Sequence, residues 1–382
     1  YIMEIIIFGG GMMGEAIAFD LFNHSDYFIN FVENSSHRIK FLKTRFSKFN
    51  DKFTIHALDI TNDISSITEL LNKSKLAFGA IDYKFNLELT KLCIKTKTHF
   101  LDLGGNNSVV KKQHELNNLA KNSQVIIVPD CGLAPGMANI IASGIISLFD
   151  SVNSCHIRVG GLPQSPKGIL KYQQVFSIRG LTNEYIEESV ILKNAKITKV
   201  PSLTEVEKLQ FKDPIGELEA FHTSGGSSSL PNLFQNKIND LNYKTIRYPG
   251  HAKFFQFLQE YELLSEQKIN EFTYREIIEK QLSKLLPKNT PDLVIVRIIV
   301  EGLIRDKPTK HQWELIDYMD EVNQITSMGR TTAYPISIIA QMILEKNITK
   351  YGVLFGEVDV PFDIFLSEMK KRNMDFDIII SD

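Results

Sequence analysis

The chain has 382 residues, enough for two or three domains that each bury a core. Its 43 Lys and Arg against 45 Asp and Glu leave a net charge of −2 with no block of like sign, which excludes a general nucleic-acid or anionic-membrane surface. With 22 Gly and 13 Pro the composition is globular, not collagen-like or disordered.

Glu4 to Phe8 is a nearly continuous apolar run, as expected of a strand buried on both faces of a parallel sheet. Glycines follow at once, then a helical pattern over Glu15 to Asn23. Phe28 to Val32 reads as a second strand and Ser36 to Ser47 as a helix. Further strand-like runs occur at Phe53 to Leu58, Leu76 to Ile81, Phe100-Leu101 and Val125 to Val128. The segments Phe85 to Lys95 and Val109 to Lys121 between them have helical spacing. This alternation predicts an α/β fold with a doubly wound parallel sheet over residues 1–130.

From the helix Met137 to Leu148 onward the pattern changes. Strands are expected at His156 to Val159, Val175-Phe176 and Lys196 to Val200, and a strand interrupted by a turn at Phe211 to Gly216. Leu293 to Ile304 and Gln312 to Met319 suit an antiparallel hairpin turning around Asp306 to Thr309. Residues 131–328 therefore read as an α+β substrate and dimerisation domain. Residues 329–382, led by the apolar helix Thr331 to Leu344, read as a segment that packs back on the first domain.

Cys93, Cys131 and Cys155 are scattered, with no CxxC and no Cys/His ligand spacing, so neither a disulfide framework nor a metal site is expected. No apolar run approaches the roughly 18–20 residues that span a bilayer, and no signal-peptide core follows a basic start. A cytoplasmic location, with no membrane and no nucleic-acid partner, is the expectation.

The strongest chemical signal is Gly9-Gly10-Gly11-Met12-Met13-Gly14, which fits GxGxxG at Gly9, Gly11 and Gly14. It follows a strand and opens a helix, the setting in which backbone approaches a pyrophosphate at a helix N-terminus. Glu33, followed by Asn34, ends the second strand, where an acid accepts from the adenosine ribose hydroxyls and repels a 2′-phosphate. That favours NAD, with NADP kept open by the nearby Arg38. Asp59-Ile60 should flank the adenine, and the small Gly79-Ala80 should admit the cofactor.

Ligands of open α/β sheets bind beyond the carboxyl ends of the strands. The loop Asp130-Cys131-Gly132-Leu133-Ala134-Pro135-Gly136 lies at such an end, so Asp130 is a candidate acid/base and Cys131 a candidate substrate contact. Thr223 and Ser224, in a run of hydroxyls and glycines, suit either a flexible loop or a carboxylate cradle. Arg247-Tyr248-Pro249-Gly250-His251 sets a guanidinium, a phenol and an imidazole together. Tyr172 and Ser177 are expected on a strand entering the same region.

In this order the glycine fingerprint, the Asp130–Gly136 loop, Gly160-Gly161-Leu162-Pro163, Arg247–His251 and Arg330-Thr331-Thr332 resemble the saccharopine dehydrogenase family over nearly the whole chain. The resemblance is strongest to its lysine 6-dehydrogenase branch. It implies oxidation of an amino-acid amine, L-lysine's ε-amine first, by hydride transfer to a nicotinamide cofactor, followed by hydrolysis of the iminium. Asp130 would hold or deprotonate the ammonium, His251 would be a second acid/base, and Arg247 would hold the α-carboxylate. A homodimer acting on a small amino acid is implied. The family's saccharopine reductases carry an Asn-Arg-Asp segment where this chain has Thr223-Ser224-Gly225-Gly226, and losing that cation favours a smaller substrate. Saccharopine itself, a carboxynorspermidine-type imine, and a non-catalytic dinucleotide sensor stay as alternatives.

Overall fold

The computed structural model describes residues 2–288 and 290–381. They form two compact units, residues 2–140 with 329–373, and residues 141–328 with 374–381.

The first unit is built on a seven-stranded sheet in the order Gly352–Val353, Ile126–Val128, His99–Asp102, Leu76–Gly79, Glu4–Phe8, Phe28–Val32, Phe53–His56. Every pairing in it is parallel. The order reverses at Glu4–Phe8, which is the doubly wound arrangement and places a ligand crevice beyond that strand. Ile5, Ile6 and Ile7 are wholly buried, which accounts for the unbroken apolar run. Helix Ile64–Lys73 covers one face with Ile67 and Leu71. The late segment is fastened by a buried ion pair. Arg372 Nε donates to Asp20 Oδ1 at 2.7 Å, and the Ser337 hydroxyl donates to Asp20 Oδ2 at 2.6 Å.

The second unit holds a nine-stranded mixed sheet whose main path is Glu207–Gln210, Glu217–His222, Asp240–Arg247, Ser151–Pro163, Asp292–Ile304, Lys307–Tyr318, Asp377–Ser381. Ser189–Lys193 pairs beside Asp240–Arg247 and carries Lys196–Val200 in turn. The long strands Ser151–Pro163 and Asp292–Ile304 pair antiparallel, and Leu162, Ile246, Leu293 and Ile295 meet in the core beneath them.

Four local expectations change. Val175-Phe176 is not a strand: the Ser177 hydroxyl accepts the Gly180 amide at 3.1 Å and caps the helix Ile178–Ile186, so Tyr172 and Ser177 lie in the loop ahead of it. Phe211 to Gly216 is the turn of a hairpin, closed by the Phe211 amide on Gly216 O at 3.0 Å, because Pro214 has no N–H to continue a strand. The later hairpin turns at Arg305 and Asp306, both at positive φ (52° and 60°), so Lys307 to Thr309 already belong to the returning strand. Residues 377–381 pair with Lys310–Glu314 in the second sheet rather than with the first unit. No helix among the described residues is long and apolar enough to cross a membrane.

Candidate functional site

In the first unit the glycines do three different jobs. Gly9 has φ +94° and lies against Ala80, where a Cβ would come within 2.5 Å of the Ala80 carbonyl. A Cβ on Gly14 would collide with the Gly9 carbonyl, so Gly14 seats the helix on the loop. Gly11 has ordinary φ (−70°), and a Cβ there meets nothing within 4 Å. The fold therefore has no need of glycine at Gly11, whereas a ligand crossing the loop does. Helix Met12–His24 starts at Gly11, so its positive end faces the same place, next to Met12 and Met13. Open space and amide dipoles fit a pyrophosphate.

Glu33 ends its strand beside the loop and accepts the Gly10 amide at 2.7 Å and the Ser35 amide at 2.8 Å. Arg38 Nε donates to Gly10 O at 2.7 Å, and the guanidinium continues to Glu15 at 3.2 Å. The acid expected to bind ribose and the cation expected to tolerate phosphate thus meet at one residue, Gly10. Asn34 donates to Asp59 at 2.9 Å, and hydrogen bonds from Thr61 first hold the Asp59 carboxyl down to about 2. Asp59 organises the turn after its strand, accepting the Thr61 amide at 2.8 Å. A Cβ on Gly79 would press on Phe100 and Asp102, while the Ala80 amide bonds Phe8 O at 2.9 Å and its carbonyl backs Gly9.

Asp130 adopts the left-handed conformation at φ 59°, and its side chain lies over Gly104, where any Cβ would strike it. Cys131 is buried, its thiol donates to Val128 O at 3.2 Å, and burial pushes its ionisation well up. It is therefore a neutral wall residue rather than a polar participant. Asp102, absent from the sequence reading, sits behind this loop. Its carboxylate accepts Gly104 N at 2.8 Å and Gln113 Nε2 at 2.7 Å, its carbonyl accepts Cys131 N, and burial pushes its carboxyl up to about 6.

In the second unit Arg247, Tyr172, Tyr185 and His251 form one buried group. Arg247 ends the strand Asp240–Arg247 and is 3% exposed. Its Nε donates to the Tyr185 hydroxyl at 3.1 Å, its Nη1 to Ile246 O at 2.9 Å, and its guanidinium carbon stands 5.1 Å from the Tyr172 ring centre. His251 is 1% exposed, with Nε2 on the Tyr185 hydroxyl at 3.0 Å and Nδ1 on Leu170 O at 3.1 Å. Burial, then the Arg247 charge, push its ring down to about 3. A neutral imidazole with both nitrogens engaged positions Tyr185; it is not the acid/base that the sequence pointed to. Glu219 accepts the Gly250 and Ala252 amides at 2.9 and 2.8 Å and fixes where this helix starts. The Thr223 and Thr245 hydroxyls share a hydrogen bond of 2.7 Å, and the Ser224 amide donates to Glu184 O at 2.9 Å. That loop is tied down rather than flexible.

The buried cations of this unit are Arg158, Lys244, Arg247 and Arg275. Arg158 and Lys244 meet Glu207, and Arg275 meets Glu279. Among the described residues no carboxylate reaches ion-pair distance of Arg247. Its charge is held at longer range by the Tyr185 and Tyr172 phenols and the Glu184 carboxylate, with no direct carboxylate partner, unlike its three buried neighbours of like charge.

The doubly wound sheet with this loop defines the dinucleotide-binding class of oxidoreductase fold. Residues 5–128 match the Saccharopine dehydrogenase NADP binding domain and residues 132–374 the Saccharopine dehydrogenase C-terminal domain. The chain belongs to the saccharopine dehydrogenase family of NAD(P)-binding oxidoreductases. Apo saccharopine dehydrogenase (L-Glu forming) from Saccharomyces cerevisiae is similar over 100% of both chains, with TM-score 0.84 and 17% identity, a likeness of fold. A probable dehydrogenase from Thermotoga maritima covers 97% of each chain at 11% identity and TM-score 0.42.

Proposed function

We propose that this protein is an NAD-preferring dehydrogenase that oxidises the ε-amine of L-lysine to 2-aminoadipate 6-semialdehyde, releasing ammonia. Arg247, buried with no carboxylate at ion-pair distance among the described residues, carries the reading, because it has room for one substrate carboxylate while its buried neighbours of like charge are directly paired. A multiply carboxylated substrate such as saccharopine needs further cations, and Thr223 to Gly226 offer none.

The chain's own residues divide the work. Arg247 binds the carboxylate, with Tyr185 and His251 holding the guanidinium in place. Asp130 takes the proton from the substrate ammonium, since an amine must be neutral before the adjoining carbon can be oxidised. The Gly9–Gly14 loop, Glu33 and Asp59 hold the dinucleotide, which when bound supplies the hydride acceptor. Water enters to hydrolyse the resulting iminium, so this site cannot be sealed from solvent throughout turnover.

The test is reduction of NAD and NADP by L-lysine, cadaverine and saccharopine in parallel. The reading expects turnover of lysine, faster with NAD, and little with cadaverine, which lacks the carboxylate. Turnover of saccharopine but not lysine overturns the substrate, and reduction by none of them favours the sensor.

A further inference from the structure

Helix Ile178–Ile186 carries a carboxylate that the reading above leaves idle. Glu184 follows Leu181 by three residues on the inward side of the helix, whereas Glu187 and Glu188 are exposed. Its backbone carbonyl is fixed by the Ser224 amide at 2.9 Å. Its side chain is half-buried, and among the described residues no donor reaches it. Glu184 adjoins Tyr185, whose hydroxyl accepts Arg247 Nε. Ser224, which bonds the Glu184 carbonyl, follows Thr223, which bonds Thr245 on the strand that ends at Arg247. Glu184 therefore belongs to the group already described, and the Tyr172, Tyr185 and Tyr243 phenols and Arg247 all feel its charge. Burial pushes the Glu184 carboxyl up to about 7, against the pull of Arg247.

Arg247 and Glu184 lie beyond ion-pair distance, yet each charge stabilises the other. Such a spaced pair suits a ligand that itself carries adjacent opposite charges. Its anion faces the guanidinium, its cation faces the carboxylate, and every neighbour is opposite in sign. A plain carboxylate would gain Arg247 and be repelled by Glu184; a plain amine would meet the reverse.

We propose that Glu184 binds the α-ammonium of the substrate whose carboxylate Arg247 binds, so that the two residues select an α-amino-acid head group. This rests on the assignment of Arg247 to the carboxylate. It gives Glu184 the amine of a diamino acid that is not oxidised.

The surroundings make the charge of Glu184 readable. Burial holds the phenols of Tyr172, Tyr185 and Tyr243 above their ordinary range, and His251 is neutral down to about 3. Burial opposes the Arg247 charge, but Tyr185, Tyr172 and Glu184 raise its ionisation overall. Glu219, a carboxylate from the sheet that acts on Tyr185, is committed to the Gly250 and Ala252 amides. Glu184 is thus the member of this group that changes charge near neutrality.

Calorimetry on the full chain with L-norleucine, hexanoate and pentylamine tests the proposal without turnover. Norleucine should bind the wild type about tenfold or more tighter than either of the others, the worth of one charge-assisted hydrogen bond. Glu184→Gln should erase that advantage for norleucine while leaving hexanoate unchanged or tighter. On the wild type alone, raising the pH from 6 to 8 should strengthen norleucine and weaken hexanoate, which keeps the test available if the variant does not fold. Equal binding of norleucine and hexanoate, equal losses for both in Glu184→Gln, or pH slopes of the same sign overturn the proposal and leave Arg247 as the carboxylate site. Binding of neither carboxylate by the wild type overturns both.

Discussion

The amide of Gly10 donates to Oε2 of Glu33 at 2.7 Å, while the carbonyl of the same residue accepts Arg38 Nε at 2.7 Å. One residue of the glycine loop is therefore clamped between an acid that favours ribose hydroxyls and a cation that favours phosphate. Glu33→Ser removes the acid and leaves the cation. The ratio of NADPH to NADH affinity should rise by about tenfold or more, in line with the loss of one charged repulsion and one charge-assisted hydrogen bond. Calorimetric titration with both reduced dinucleotides measures it, and an unchanged ratio means that Glu33 does not discriminate.

Gly11 and Gly14 should separate binding from folding. A Cβ at Gly11 meets nothing within 4 Å, so Gly11→Val should keep its Tm and lose dinucleotide affinity. A Cβ at Gly14 collides with Gly9 O, so Gly14→Ala should lower Tm by several degrees whatever its binding does. Paired melting curves and NAD titrations decide. Wild-type affinity in Gly11→Val would move the pyrophosphate elsewhere.

Asp130→Asn tests the proton acceptor cleanly because Asn tolerates the left-handed backbone at φ 59°. A positioned acid/base contributes about 10²–10⁴-fold, so kcat/KM for lysine should fall by that order with NAD affinity kept. A loss of less than about tenfold would assign the proton to another group.

His251 should act through position and stability. Its ring is pushed from the ordinary 6.5 down to about 3 in the folded chain. The stability it confers is therefore complete above about 6.5 and is lost as pH falls toward about 3. Melting temperatures across that window should fall less steeply in His251→Gln than in the wild type. The neutral-range pH profile of kcat should keep its shape in the variant; a lost ionisation there would restore His251 as an acid/base.

Much of the first unit is legible in the sequence because strands buried on both faces, such as Ile5 to Ile7, need no alternation, and the glycine loop between strand and helix has one main use. The second unit is harder to read. Val175-Phe176 has strand-like residues, yet the cap at Ser177 and the Gln174 amide on Pro287 O at 2.9 Å make it a loop. Arg247 was legible as a cation in a polar cluster, but that no carboxylate among the described residues pairs with it directly is a matter of three dimensions. Glu184 was not, since Asn183-Glu184-Tyr185-Ile186-Glu187-Glu188 reads as a solvated helix end until the fold turns one of its three acids inward.

The central claim, oxidation of a primary amine, is tested most directly by counting products. Purified protein given L-lysine and NAD should release ammonia and form NADH in equal amounts, with the aldehyde trapped by a hydrazine at the same rate. NADH without ammonia, or NADH formed from saccharopine with glutamate as the released product, would contradict it.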